Sequence, residues 1–557
     1  AGTGRVQATM GIEIGRTRTS GVLLAADGRE LARASTEHRP LLARGTFCEH
    51  DPEAPWVAFR QVATRLKALV EVELVGLGLA GEAGGLVFLD RTGVPVRPAV
   101  AGADRRAAEE ARELVRRLAE AGVAPPRGRW PGPCLPAAKI LWLAANEPEA
   151  AQRVARVLAP KDDVRRRLTG ELATDAAEAS ATGLLDLAGR RWNAVVLEAL
   201  GLPADLLPEV FEGADVTGRV SVAGAAETGL PEGLPVVAGG TTLACGALAA
   251  GLVGDGDALA WLEPGAGLVV RIGRLPEAAE EGVEILCEAT GGFHGIAEVP
   301  LATSPLAWLA RELVPEWAEA ARAAGIEPED ALLGEAAVAE PGASGLLFFP
   351  ALDGAAGGSA VPGAWLGLRP DQRRAELARS LVEGLAAALA ERTASLRHLF
   401  PPHEPVRLVG RAATDTAWRV LLAAQLGLAL APLEAGLDAA RGAAMLAGVG
   451  VGLWSDPAEA VARAAPPTGP VVAVDPQLQT FYRAREPCGL GLEHCSPPSD
   501  LSRDGAGQGA RRSDGGRRSA APGLSATARV LAGSGGVARA PSGGGSGRPA
   551  KRPFTVP

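Results

Sequence analysis

Tyrosine and lysine are nearly missing from this chain. Tyr482 is the sole tyrosine, and Lys67, Lys139, Lys161 and Lys551 are the only lysines, so its basic residues are almost all arginine. We read that skew as the mark of GC-rich coding. Cysteine is also scarce: Cys48, Cys134, Cys245, Cys287, Cys488 and Cys495 form no C-x-x-C pair, which argues against a zinc site or a disulfide framework. A reducing cytoplasm is the expected setting. No run of about 18 uninterrupted apolar residues occurs, and Arg5, Glu13 and Arg16 around a short apolar stretch do not make a signal peptide. No membrane partner is expected. The net charge of −9 argues against a nucleic-acid binder.

What is present suffices for large cores: 557 residues, 47% hydrophobic and 22% charged. Gly11 to Thr36 reads as three strands, the last two joined by a tight turn at Asp27-Gly28, a strong hairpin signal between apolar runs. A helix follows from Pro52 to about Val70, then a strand from Leu74 to Ala80. From Asp104 to Glu120 the apolar residues Ala108, Ala111, Leu114, Val115 and Leu118 keep helical spacing, with Asp104 placed as an N-cap. Strand signals restart in the second half, with a hairpin from Ala258 to Ile272, and long helices follow over Asp371 to Leu399 and Thr416 to Leu426.

This echo predicts two related α/β domains facing a cleft, residues 10–248 and 249–485. Residues 1–9 read as an extension outside the domain. Residues 486–557 lack hydrophobic periodicity and read as a disordered basic tail. From residue 500 onward ten basic side chains stand against three acidic ones, which leaves the preceding body at −16. A nucleic-acid or acidic partner for the tail is weighed against a merely solvated appendage, and the second is favoured.

Several segments carry a resemblance. GIEIG (11–15), CEHDPEAPW (48–56), GLAGEAGGLVFLD (78–90), RPAVAGADRR (97–106) and VLAPKDDVRRRLTGELATDAAEASATGLLD (157–186) are followed by VVAGGTTLACGA (236–247), LVGRAATDTAWR (408–419) and AARGAAMLAGVGVG (439–452). In this order and spacing they resemble the FGGY-type carbohydrate kinases, nearest to the xylulokinase members. The resemblance covers about Met10 to Arg483. It implies two actin-like (ribonuclease-H-like) ATPase domains around a cleft, Mg-ATP as cofactor, and a pentulose such as D-xylulose as acceptor. ATP and a sugar are the implied partners, with a homodimer as a candidate assembly.

Carried onto this sequence, the family's catalytic base falls at Thr242, its metal carboxylate at Glu13, its nucleotide contacts at Gly15, Thr17, Gly265, Gly410 and Arg411, and its sugar contacts at Glu82, Gly84 and Asp104. Several of these positions depart from the family pattern. Where the family has a base aspartate, a threonine hydroxyl has no useful basicity, and a general-base contribution of about 10²–10⁴-fold is expected to be missing. Glu13 is one methylene longer than the family's aspartate. Glu263-Pro264 replaces two residues of the second phosphate loop, and Arg411-Ala412 two glycines near adenine. Gly84 and Gly102 stand where a histidine and a tryptophan are usual, and 354–356 have lost a GER segment. Arg16 and Arg18 are weighed as phosphate ligands against solvated loop residues. Three functional readings follow: a weak or inactive xylulokinase-like kinase, a non-catalytic sugar- or nucleotide-binding relative, and a fold without a ligand.

Overall fold

The computed structural model describes residues 5–38, 42–123, 132–262, 265–277, 282–299, 301, 304–350, 352, 363–433 and 436–485. Residues 1–4 of the extension, Glu263-Pro264, 354–356 and the 486–557 tail lie outside them.

The opening strand, Gln7–Ile14, is buried on both faces from Ala8 to Ile12, as a strand paired on both sides must be. It pairs antiparallel with Arg18–Ala25, which pairs antiparallel with Glu30–Glu37. The turn between the last two needs glycine: Gly28 has φ 87°, and its N–H donates to the Ala25 carbonyl at 2.8 Å. On its other side the opening strand runs parallel to Glu73–Gly81, which is itself parallel to Pro235–Val237 and to the short Gly240–Thr241 strand. The helix Ala54–Leu69 covers one face with Trp56, Phe59, Val62 and Leu66.

The second sheet repeats this plan. Ala258–Leu262 pairs antiparallel with Ala266–Ile272, and that strand with Phe293–Val299. The first of them runs parallel to Val406–Val409, which is parallel to Leu430–Pro432. Three antiparallel strands followed by parallel additions to the first strand, made twice, is the duplicated actin-like topology that the two-fold echo predicts.

Two sequence readings are corrected. The 104–120 helix begins at Ala108 with Ala107 at its N-cap, so Asp104 caps nothing. The predicted 371–399 helix is two, Arg374–Arg392 and Ala394–Leu399. Between them the fully buried Thr393 hydroxyl donates to the Leu389 carbonyl at 2.7 Å, which also accepts from the Thr393 N–H at 3.0 Å.

The helix Ala439–Gly450 lies across the first sheet, although it comes from the end of the chain. It approaches so closely that a Cβ on Gly11 would stand 1.9 Å from the Ala440 carbonyl oxygen, and one on Gly78 2.0 Å from that of Ala443. On the helix itself, a Cβ on Gly442 would meet the Cys245 carbonyl at 1.8 Å. Met445, Leu446 and Trp454 thereby share one core with Val22, Leu24 and Leu248.

Candidate active site

Three strand ends of the first sheet converge, the place where open α/β sheets present ligands. In register, Glu13 faces Ala80, Ile14 faces Gly81, and Thr241 also faces Gly81. Beyond them the chain turns into the Thr242–Ala249 helix, whose N-cap is Thr241: its hydroxyl accepts from the Ala244 N–H at 3.1 Å. The sharp entry is made by Gly239, with φ 77°, where a Cβ would lie 1.8 Å from the Leu79 carbonyl oxygen.

This turn places Thr242 against Glu13. The Thr242 hydroxyl donates to Glu13 Oε1 at 3.0 Å and the Ser20 hydroxyl to Oε2 at 3.3 Å. Burial raises the Glu13 pKa against the opposing pull of these two hydrogen bonds, and Asp438 adds to the rise. One carboxylate and two hydroxyls thus occupy the place where the resemblance puts a metal carboxylate and a base.

Next to this pair lies a small cavity lined by Ile14, Arg16, His50, Glu82, Gly102 and Lys161 among others. Arg16 faces Glu82 across 3.6 Å. Burial raises the Glu82 pKa, while Arg16 and Lys139 pull it back. His50 is pushed down to about 4 by burial, then by His38 and Arg16, so it is neutral at physiological pH. The Lys161 ammonium is not free to serve a ligand: it bonds Asp162 at 2.7 Å and Asp175 at 2.6 Å. Burial opposes its charge, but those two carboxylates more than compensate and raise its pKa.

The other sequence-singled residues are placed as follows. Asp104 is completely buried and away from the cavity lining; it accepts from the Cys48 N–H at 2.6 Å and from the Arg106 guanidinium at 2.7 Å. Arg106 also pairs with Glu49 at 2.8 Å and lies over the Phe47 and Trp142 rings. The Gly15 N–H donates to the Arg18 carbonyl at 3.0 Å, and the Thr17 carbonyl accepts from His38 at 2.8 Å, so this turn is closed on itself. Arg18 bonds the Ser35 hydroxyl at 2.7 Å. Gly265 and Gly410 keep left-handed φ values, 75° and 92°, at strand ends of the second sheet. Arg411 turns to Asp330 and Glu329. No hydrogen bond or ion pair joins these second-sheet residues to Glu13 or Thr242 among the described residues.

Two residues that sequence reasoning passed over also stand here. Lys139 and Glu178 are both buried, at 1% and 3% exposure, and both bond Gly84. A single lysine within the otherwise apolar stretch from Pro136 to Leu143 was the available signal for the first. None marked the second.

The models of the FGGY family of carbohydrate kinases match twice, the N-terminal domain over residues 8–249 and the C-terminal domain over 287–451. The chain belongs to this family. It is 32% identical over 449 residues to the xylulose kinase of Klebsiella pneumoniae, spanning 79% of this chain and 90% of that one. It is 30% identical to the xylulose kinase of Streptomyces rubiginosus, over 85% and 94% of the two chains. The crystal structure of xylulose kinase from Rhodospirillum rubrum superposes with a TM-score of 0.74 at 26% identity, over 86% of this chain and 98% of that one.

FGGY kinases use ATP with a divalent metal, and the two components fit this member unequally. Magnesium keeps most of its waters and takes one or two carboxylates, so Glu13 flanked by the Ser20 and Thr242 hydroxyls suits a hydrated ion. A triphosphate fits less well, because the Gly15 amide that would cradle it is already bonded to Arg18. Among the described residues of this FGGY chain, no cluster of three His, Cys, Asp or Glu side chains could hold a metal alone, and no helix is long and apolar enough to cross a membrane.

Proposed function

We propose that this chain is a xylulokinase-like carbohydrate kinase that binds a small polyol such as D-xylulose beside Glu13 and phosphorylates it far more slowly than a relative with an aspartate base. Mg-ATP, when bound, supplies the phosphoryl group. The reading is supported by the names of the similar chains and carried by one contact: the Thr242 hydroxyl donates its proton to Glu13 at 3.0 Å. A threonine hydroxyl is too weak a base to take the proton of a sugar hydroxyl. The nearby carboxylate, Glu13, already accepts one hydrogen bond on each oxygen, from Ser20 and Thr242. His50, Glu82 and Arg16 supply polar contacts for hydroxyl groups at the cavity wall.

An ADP-release assay with Mg-ATP and D-xylulose, beside calorimetric titration of each ligand, tests the reading. Thr242→Asp is expected to raise turnover by about 10²-fold or more. Equal turnover in the unaltered protein and the variant overturns it. Binding of D-xylulose with no ADP release in either protein replaces slow catalysis with a sugar-binding role, the reading favoured by the self-closed Gly15 turn.

A further inference from the structure

Lys139 belongs to the Pro136–Asn146 helix, and its ammonium group is enclosed. A buried ammonium requires acceptors, and this one finds three main-chain carbonyls: Ala101 at 2.7 Å, Gly102 at 2.9 Å and Gly84 at 3.1 Å. These carbonyls come from two separate loops, one following the Glu73–Gly81 strand and the other preceding Asp104. Gly84 is held from both sides. Its N–H donates to Glu178 Oε1 at 3.1 Å, while its carbonyl accepts from Lys139. With φ 80°, Gly84 adopts a conformation that an L side chain resists, and this orients its two polar groups toward the two buried residues.

The two loops touch through their glycines. A Cβ on Gly102 would lie 2.3 Å from the Ala83 carbonyl oxygen, and one on Gly84 3.7 Å from the Gly102 Cα. No side chain at 102 fits while the loops hold this position. The same loops supply Glu82, Gly85, Ala101 and Gly102 to the cavity beside Glu13. Glu178 is in turn fixed at the start of its own helix, Ala176–Ser180, where its N–H donates to Asp175, the partner of Lys161.

We infer that Lys139 and Glu178 are positioning residues that lock these two loops into a single wall of the sugar cavity, so that the sugar meets Glu82, His50 and main-chain groups instead of side chains at 84 and 102. The polyol part of this inference rests on the function proposed above. The locking part does not. Neither side chain lines this cavity: Glu178 acts through Gly84, and Lys139 through the Gly84, Ala101 and Gly102 carbonyls.

Hydrogen–deuterium exchange and D-xylulose titration on the full chain separate the two parts. In Lys139→Met and in Glu178→Met, amides of residues 82–86 and 99–104 are expected to exchange at least tenfold faster, with the remainder of the first sheet unchanged. D-xylulose affinity is expected to fall about tenfold; where turnover is measurable, KM rises and kcat stays within twofold. Glu178→Gln keeps an acceptor for the Gly84 N–H and is expected to restore the slow exchange. Leu389→Ala, in the core of the second half, serves as a control that lowers stability without touching the loops. Unchanged loop exchange in both Met variants overturns the inference, as does an equal increase in the Leu389→Ala control. If Lys139→Met does not fold, the Glu178 pair decides alone. Absence of D-xylulose binding in the unaltered protein removes the polyol reading, and the exchange result still decides the lock.

Discussion

Glu178 shows how a single buried acid shapes this protein. Its pKa is pushed up to about 8, first by burial, with Asp175 and Asp162 adding to the rise and Lys161 opposing it. A carboxyl group whose folded pKa lies above its unfolded value, ordinarily about 4.3, holds its proton in the folded state after the unfolded chain has lost it. Its contribution to stability is therefore full below the unfolded pKa and declines as pH rises toward 8. Glu178→Gln removes that dependence. Urea midpoints of the two proteins are expected to diverge in favour of the variant from about pH 5 to pH 8 and to run parallel above it. Tyr482 gives a second test. Its hydroxyl donates to Glu383 at 2.7 Å and accepts from Arg379 at 3.3 Å, all three being buried. Tyr482→Phe leaves two charged partners short of one bond, and a loss of about 1–3 kcal/mol in urea unfolding is expected. Of the residues at the site, Glu13 and Thr242 were legible because they stand in motifs. Lys139 and Glu178 were not, because their partners are backbone groups brought near by folding, and no spacing in the chain encodes that.

Helices and strands here differ in how much freedom their glycines have. Gly334 sits in the Pro328–Val338 helix with open space, nothing within 4 Å, where the methyl group of an alanine would stand, and its backbone is helical. Gly334→Ala is expected to stabilise by about 0.5–1 kcal/mol, since the helix gains no clash and the unfolded chain loses freedom. Gly78→Ala is the opposite case. Its Cβ would meet the Ala443 carbonyl at 2.0 Å, so the Ala439–Gly450 helix must move away from the sheet. A loss of about 1–3 kcal/mol is expected, read as an earlier urea midpoint with the same slope. Strand and helix existence followed from apolar periodicity and turn residues. Helix ends did not: Asp104 looked like a cap because caps favour aspartate, but Arg106 and the Cys48 amide compete for the same carboxylate and hold it.

The two sequence halves are not independent bodies of core. The Ala439–Gly450 helix closes the first sheet from the far end of the chain, and Trp454 Nε1 donates to the Ala26 carbonyl at 3.0 Å. A fragment of residues 5–250 would leave Val22, Leu24 and Leu248 uncovered on that face. It is expected to melt well below the full chain by circular dichroism, and to regain stability when residues 437–465 are added as a separate peptide. A fragment that melts with the full chain would contradict this reading of the core.

Composition and motif order were enough to establish the α/β class, the duplicated plan and the kinase family, because strand periodicity, turn glycines and motif spacing are properties of contiguous residues. Tertiary structure alone decided which groups meet. It set Thr242 against Glu13, brought the Cys48 amide onto Asp104, and gathered three carbonyls around Lys139. The physical reason is shared by all three: a hydrogen bond depends on distance and burial, and residues separated by tens to hundreds of positions acquire those only when the sheets and helices pack.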